Sequence, residues 1–147
     1  MGPADKTPDH RARCQPYLLR LWLLARSEAG ISQPLQIVAE VTEATGAVLA
    51  EAEAADQAAR AAAEVNRRSL AAGMFLRVRL NRLAAAADQA IAAARAEDFA
   101  RMRHHLRRFD ALTSAMWTVQ DAVYDPRPAR RRDPRVARPL RSDRRSA

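Results

Sequence analysis

Residues Phe99–Pro126 read FARMRHHLRRFDALTSAMWTVQDAVYDP, and this stretch decides the fold. Phe99, Met102, Leu106, Phe109, Thr113, Met116, Gln120 and Val123 recur at spacings of three and four, which places them on one face of a helix. It is the most strongly apolar stripe in the chain. The stripe stops at Tyr124-Asp125-Pro126, because proline cannot continue a helix and biases the residue before it toward extended backbone. Upstream, Arg95 to Asp98 reads as a turn, with Asp98 placed to cap the helix that follows.

The same periodicity runs backward through the chain. Leu76, Leu80, Leu83, Ala87, Ala90 and Ala94 form the seam of a preceding helix. Before it, Val38, Val41, Thr45, Val48, Ala52, Ala55, Ala59 and Ala62 form another, which changes from valine to alanine after Val48. A partner helix must approach that alanine segment closely, because each alanine offers only about one methyl to bury. Ser32 is a suitable N-cap for this helix, and Pro34 suits its first turn. A first helix is expected from Pro16 to about Ala29, ended by Gly30. Its residues Tyr17, Leu18, Leu19, Leu21, Trp22, Leu23 and Leu24 are apolar nearly all round, which predicts burial within a bundle in preference to docking on a membrane surface.

Charge decides how the two middle seams are joined. Glu40, Glu43, Glu51, Glu53, Asp56 and Glu64 face only Arg60 within residues 40–66, whereas Arg67, Arg68, Arg77, Arg79 and Arg82 follow with no acid through residue 82. A turn between Asn66 and Gly73 lays an acidic arm beside a basic one. The alternative is one helix of about 60 residues, roughly 90 Å long, which needs a partner chain along its length. The hairpin is preferred. The expected fold is therefore all-α, an antiparallel bundle of about four helices over residues 15–125. Residues 1–14 are expected to be a disordered leader and 126–147 a disordered basic tail.

That tail is the one feature pointing to a partner. Arg127, Arg130, Arg131, Arg132, Arg135, Arg138, Arg141, Arg144 and Arg145 stand against Asp133 and Asp143, so +7 of the net charge of +8 lies there. Arginine's planar fork suits phosphate oxygens. With no aromatic residue for stacking, contact with nucleic acid through it is expected to be non-specific; an anionic membrane surface, an acidic partner protein and an unselected extension are the competing readings. On the last helix Arg101, His104, His105 and Arg108 share one side and could extend this footprint, although pairing with acids of a neighbouring helix is the preferred expectation. Trp117 and Tyr124, one heptad apart, are expected to anchor the core or an interface, meeting Trp22. The alanine and arginine bias, with one lysine among 25 basic residues, points to a GC-rich bacterial genome, in which an unselected extension would also be arginine-rich.

Catalytic patterns are not found. No Glu-x-x-His or His-Glu-x-x-His occurs, and the adjacent His104 and His105 point about 100° apart on a helix. His10 and Cys14 have helical spacing but fall in the expected leader, where they read as a surface histidine and a stray thiol. No serine sits in a Gly-x-Ser-x-Gly context, and the four glycines are too scattered for a phosphate loop. A helix-turn-helix starting at Ile31-Ser32-Gln33 fails because Glu43 stands where the turn glycine belongs, Gly46 comes late, and Glu51, Glu53 and Asp56 would meet phosphate. No apolar run approaches the roughly 20 residues of a membrane span. The chain is therefore expected to be a cytoplasmic, non-catalytic accessory or binding protein without metal or cofactor. Its expected partners are nucleic acid and a homodimer mate or helical protein. The alternative is a helical scaffold or adaptor whose tail is incidental.

Overall fold

The computed structural model describes residues 8–27, 33–65 and 70–124; the side chains of 62–65, 70–73 and 121–124 lie outside that description. Four helices follow in order, α1 (His10–Arg26), α2 (Pro34–Val65), α3 (Leu70–Arg95) and α4 (Phe99–Tyr124), and no strand occurs among the described residues. The fold is an all-α antiparallel bundle. Opposed directions show in the ion pairs: His10 meets Glu51 while Arg20 meets Glu43, so α2 runs down as α1 runs up. Each helix packs on its neighbours around the ring, and α2 touches α4 only slightly, across the diagonal.

The heptad seams supply the core. Val41, Val48, Ala52, Ala55 and Ala59 of α2 are buried, as are Leu76, Leu80, Leu83, Ala87, Ala90 and Ala94 of α3. α4 contributes Met102, Leu106, Phe109 and Met116. Two threonines sit in these seams without stranding a hydroxyl. Thr45 Oγ1 donates to the Val41 carbonyl at 2.6 Å and Thr113 Oγ1 to that of Phe109 at 2.8 Å. Alanine lets α2 and α3 approach, and the bundle interior is correspondingly narrow. The turn into α4 lies where the sequence places it: Asp98 Oδ1 accepts from the Arg101 N–H at 3.2 Å, and Glu97 adopts a left-handed φ of 58°.

The join between α2 and α3 resolves in favour of the hairpin. α2 ends at Val65, α3 begins at Leu70, and the two pack together. Arg77 binds Glu53 at 2.9 and 3.0 Å and reaches Asp56 at 3.5 Å, so the acidic and basic arms do lie side by side. Asp56 is buried, its Oδ2 also accepting from Arg60 Nε at 3.0 Å. A continuous helix would leave Asp56 without Arg77. α2 passes through Gly46 unbroken, which removes the helix-turn-helix alternative.

Three expectations change at the N-terminal end. α1 begins at His10, not Pro16, so His10–Cys14 belongs to the bundle and not to a disordered leader. Asp9 is the reason: its side chain accepts from the Ala12 N–H at 3.0 Å and caps the helix. Pro16 is exposed in the interior of α1, where the bond it cannot give leaves the Ala12 carbonyl to water. α1 also ends at Arg26, before the expected Ala29; Gly30 and Ser32 lie outside the described residues. The Gln33 carbonyl accepts from Gln36 and Ile37 at the start of α2. Most consequentially, α1 is not enclosed. Leu21 and Ala25 are buried, but Leu19, Trp22 and Leu23 face out, because α1 touches only α2 and α4 closely and two neighbours cannot cover a whole helix.

Candidate polyanion interface

The outer face of α4 is built by the stripe that faces inward. With Met102, Leu106 and Phe109 committed to the core, the helical period sends Arg101, His104, Arg107 and Arg108 to solvent, and all four are exposed. Arg103 is half-buried on the flank toward α1. Arg101 and Arg108, two of the residues singled out from sequence, therefore stand together on the surface. Arg107 was missed, although its position three residues after His104 carries the signal. The nine tail arginines, Arg127 through Arg145, lie outside the described residues.

The expected pairing of this stripe with neighbouring acids does not occur. Among the described residues Arg13, Arg20, Arg60 and Arg77 have carboxylate partners. Arg101, Arg103, Arg107 and Arg108 have none. The geometry explains it: α3, the nearest neighbour on one flank, presents only Asp88 along residues 74–95, and the acids of α2 lie across the diagonal. Four guanidinium groups within eight residues repel one another, and no described carboxylate lies within ion-pair distance of them.

His105 registers that field. Its ring is half-buried against α3, its Nδ1 has no hydrogen-bond partner, and its pKa is lowered. Burial is the larger cause, followed by the charges of His104, Arg101 and Arg108. The rings of His104 and His105 meet edge to face, 5.2 Å between centroids. Beside them, Gln89, Ala92, Ala96, Asp98, Arg101 and His105 line a shallow depression of about 290 Å³. The patch can hold phosphate-like oxygens by charge and hydrogen bonding. It has no phenylalanine, tyrosine or tryptophan surface on which a base could stack.

The His10–Cys14 pair is more ordered than its sequence position suggests. His10 Nδ1 lies 2.6 Å from Glu51 Oε2, Arg13 lies 3.7 Å from the other oxygen, and Cys14 is fully buried beneath them. Burial first, and the Glu51 charge second, push the Cys14 thiol up to about 11. A thiol held protonated in this way is a small core hydrophobe and a poor nucleophile. No group of three metal-ligating side chains converges among the described residues. Trp117 is buried, as an anchor would be, and lines with the partly exposed Trp22 a groove of about 300 Å³ between α1 and α4; the side chain of Tyr124 is outside the described residues. Compared with protein-family profiles, curated proteins and solved structures, the chain matches none.

Proposed function

We propose that this chain is a non-catalytic accessory or binding protein of the bacterial cytoplasm that contacts nucleic acid without sequence preference, through its arginine tail and the outer face of α4. The observation that carries this reading is the set Arg101, Arg103, Arg107 and Arg108, exposed or half-exposed on one helix and without a carboxylate partner among the described residues. Clustered like charges without partners lower the stability of the folded chain, and a polyanion relieves that cost by replacing many small counterions. The tail adds nine more arginines on the C-terminal side of the same helix. The absence of phenylalanine, tyrosine and tryptophan from the charged face of α4 and from the tail favours backbone contact over base recognition.

The test is the salt dependence of binding to a duplex of arbitrary sequence. If about six tail arginines meet phosphate, log affinity falls against log salt with a slope near −5. Arg101→Gln with Arg108→Gln should reduce that slope by roughly 2 and leave the helical signal unchanged. Equal slopes in wild type, this variant and a chain with six tail arginines changed to glutamine would refute the proposal.

The scaffold alternative draws on a different observation. Met74, Phe75 and Val78 are exposed together on the outer side of α3, an apolar patch that a partner helix could cover. In that case the tail is incidental, and duplex binding at physiological salt should be absent.

A further inference from the structure

α1 turns to solvent an apolar strip that the bundle does not use. Cys14, Leu21 and Ala25 face the core, while Leu19, Trp22 and Leu23 are 57%, 41% and 55% exposed. Residues 19, 22 and 23 are neighbours at i, i+3 and i+4, so they form one patch, and the exposed Ala12 and Pro16 continue it toward the N-terminus. Its own helix is basic, and the acids beside it, Glu43, Glu51 and Asp110, belong to α2 and α4. α1 carries Arg11, Arg13, Arg20 and Arg26 and no acid. Arg26 lies 4.3 Å from the centroid of the Trp22 ring, so a cation travels with the indole wherever it docks. Arg20 sits at the opposite border, 5.9 Å from the Tyr17 ring and only loosely tied to Glu43 at 3.8 Å.

These features discriminate between occupants. A second copy would oppose the same arginines across a two-fold axis. The three apolar side chains, at roughly 150–250 Å² each when fully bare, offer about 300 Å², well short of the roughly 800 Å² per partner of a stable dimer. The adjoining groove between α1 and α4, which Leu19 and Trp22 also line, sets Asp110 against Arg11, so its charge gives an acidic peptide helix no net attraction. An anionic bilayer needs only the outward strip. It accepts an amphipathic tryptophan at the boundary and lets arginine reach lipid phosphate from either side.

A second contact lies within reach. Arg11 and Trp117 line one groove, so the N-terminal end of α1 lies beside the last turns of α4, after which the basic residues 126–147 begin. An apolar strip combined with a polybasic segment is the two-part arrangement that holds a peripheral protein to anionic lipid. No described helix is long and apolar enough to cross a membrane, so the contact is with its surface.

From this juxtaposition we infer that α1 is a surface anchor: Leu19, Trp22 and Leu23 enter the headgroup boundary of an anionic bilayer, and Arg20 and Arg26 meet lipid phosphates. This goes beyond the nucleic-acid reading and uses a different face of the molecule.

The full chain is tested by flotation with vesicles of phosphatidylcholine alone and with one-third phosphatidylserine, with tryptophan emission recorded in parallel. Binding is expected only to the anionic vesicles, with a blue shift that Trp22→Phe removes, because Trp117 is already buried. Leu19→Ser with Leu23→Ser alters only exposed positions, so its helical signal should match wild type. Its binding to anionic vesicles should weaken by about tenfold or more. Its duplex binding should be unchanged, which separates this proposal from the preceding one. Wild-type binding retained by the double variant assigns the contact to tail electrostatics alone and overturns the anchor. So does equal binding to both vesicles, or binding to neither. Concentration-dependent dimerisation abolished by the same two substitutions would place a second copy on the strip instead.

Discussion

Gly46→Ala tests the frame on which both surfaces depend. Gly46 lies inside α2, is exposed, and has no left-handed φ. A methyl group built on its Cα meets no atom within 4 Å. Nothing is gained or lost in packing, so the change isolates backbone propensity. Glycine inside a helix is less favourable than alanine by about 0.5–1 kcal/mol, largely because it loses more freedom on folding. The substitution should therefore stabilise the chain by about that amount. For a cooperative body of this size the midpoint of thermal unfolding should rise by about 2–5 °C. Circular dichroism during heating, with urea titration at fixed temperature, measures both; the urea midpoint should increase with the m-value unchanged. A break of α2 at Gly46 makes the opposite forecast, since a turn that needs positive φ there is strained by any side chain. A loss of 0.5 kcal/mol or more, or a changed m-value, would refute a continuous α2.

Two further outcomes probe the interior. Ala55 is buried at the level where Glu53 and Asp56 reach Arg77, so Ala55→Leu forces extra carbons between closely packed helices and should destabilise by about 1–3 kcal/mol in urea unfolding; a neutral or stabilising result would mean that α2 and α3 are not in close contact there. Cys14 should resist iodoacetamide at pH 8 in the folded chain and react readily in urea. Because its folded pKa is raised from 9.0 to about 11, the stability it contributes is complete below about pH 9 and is lost as pH climbs toward 11. Cys14→Ala should flatten that part of the stability profile, and native labelling as fast as in urea would contradict the burial.

The seams were legible because heptad spacing and burial share one cause. A residue three or four positions from another apolar residue lies on the same side of the helix, and Leu76, Leu83, Leu106 and Phe109 are buried for that reason. The hairpin was legible for a second reason, that Glu53 and Arg77 report a folding-back through charge before any contact is known. What failed was local arithmetic at the N-terminus. Pro16 outweighed Asp9 as a start signal, yet a capped helix tolerates an exposed proline once packing holds both sides of it. The exposure of Leu19, Trp22 and Leu23 was not legible in principle. An all-round apolar pattern shows that a helix wants covering, and it does not show how many neighbours the chain provides.

The arginines of a GC-rich sequence cannot be sorted by number, but the bundle sorts several of them by surroundings. Arg60 and Arg77 close on the buried Asp56, so their charges are spent within the fold, and their loss should register as altered stability. Arg101, Arg103, Arg107 and Arg108 close on nothing described, and removing their mutual repulsion should leave stability level or slightly improved. An arginine that drift alone placed on α4 carries this repulsion with no return, and a charge-neutral residue would serve the helix as well. Under the proposed function, a ligand that repays the repulsion accounts for four in eight residues. The nine tail arginines lie outside the described residues, so surroundings do not sort them. The proposed polyanion contact therefore rests first on Arg101 and Arg108, whose surroundings are described, and only then on the nine tail arginines that dominate the net charge.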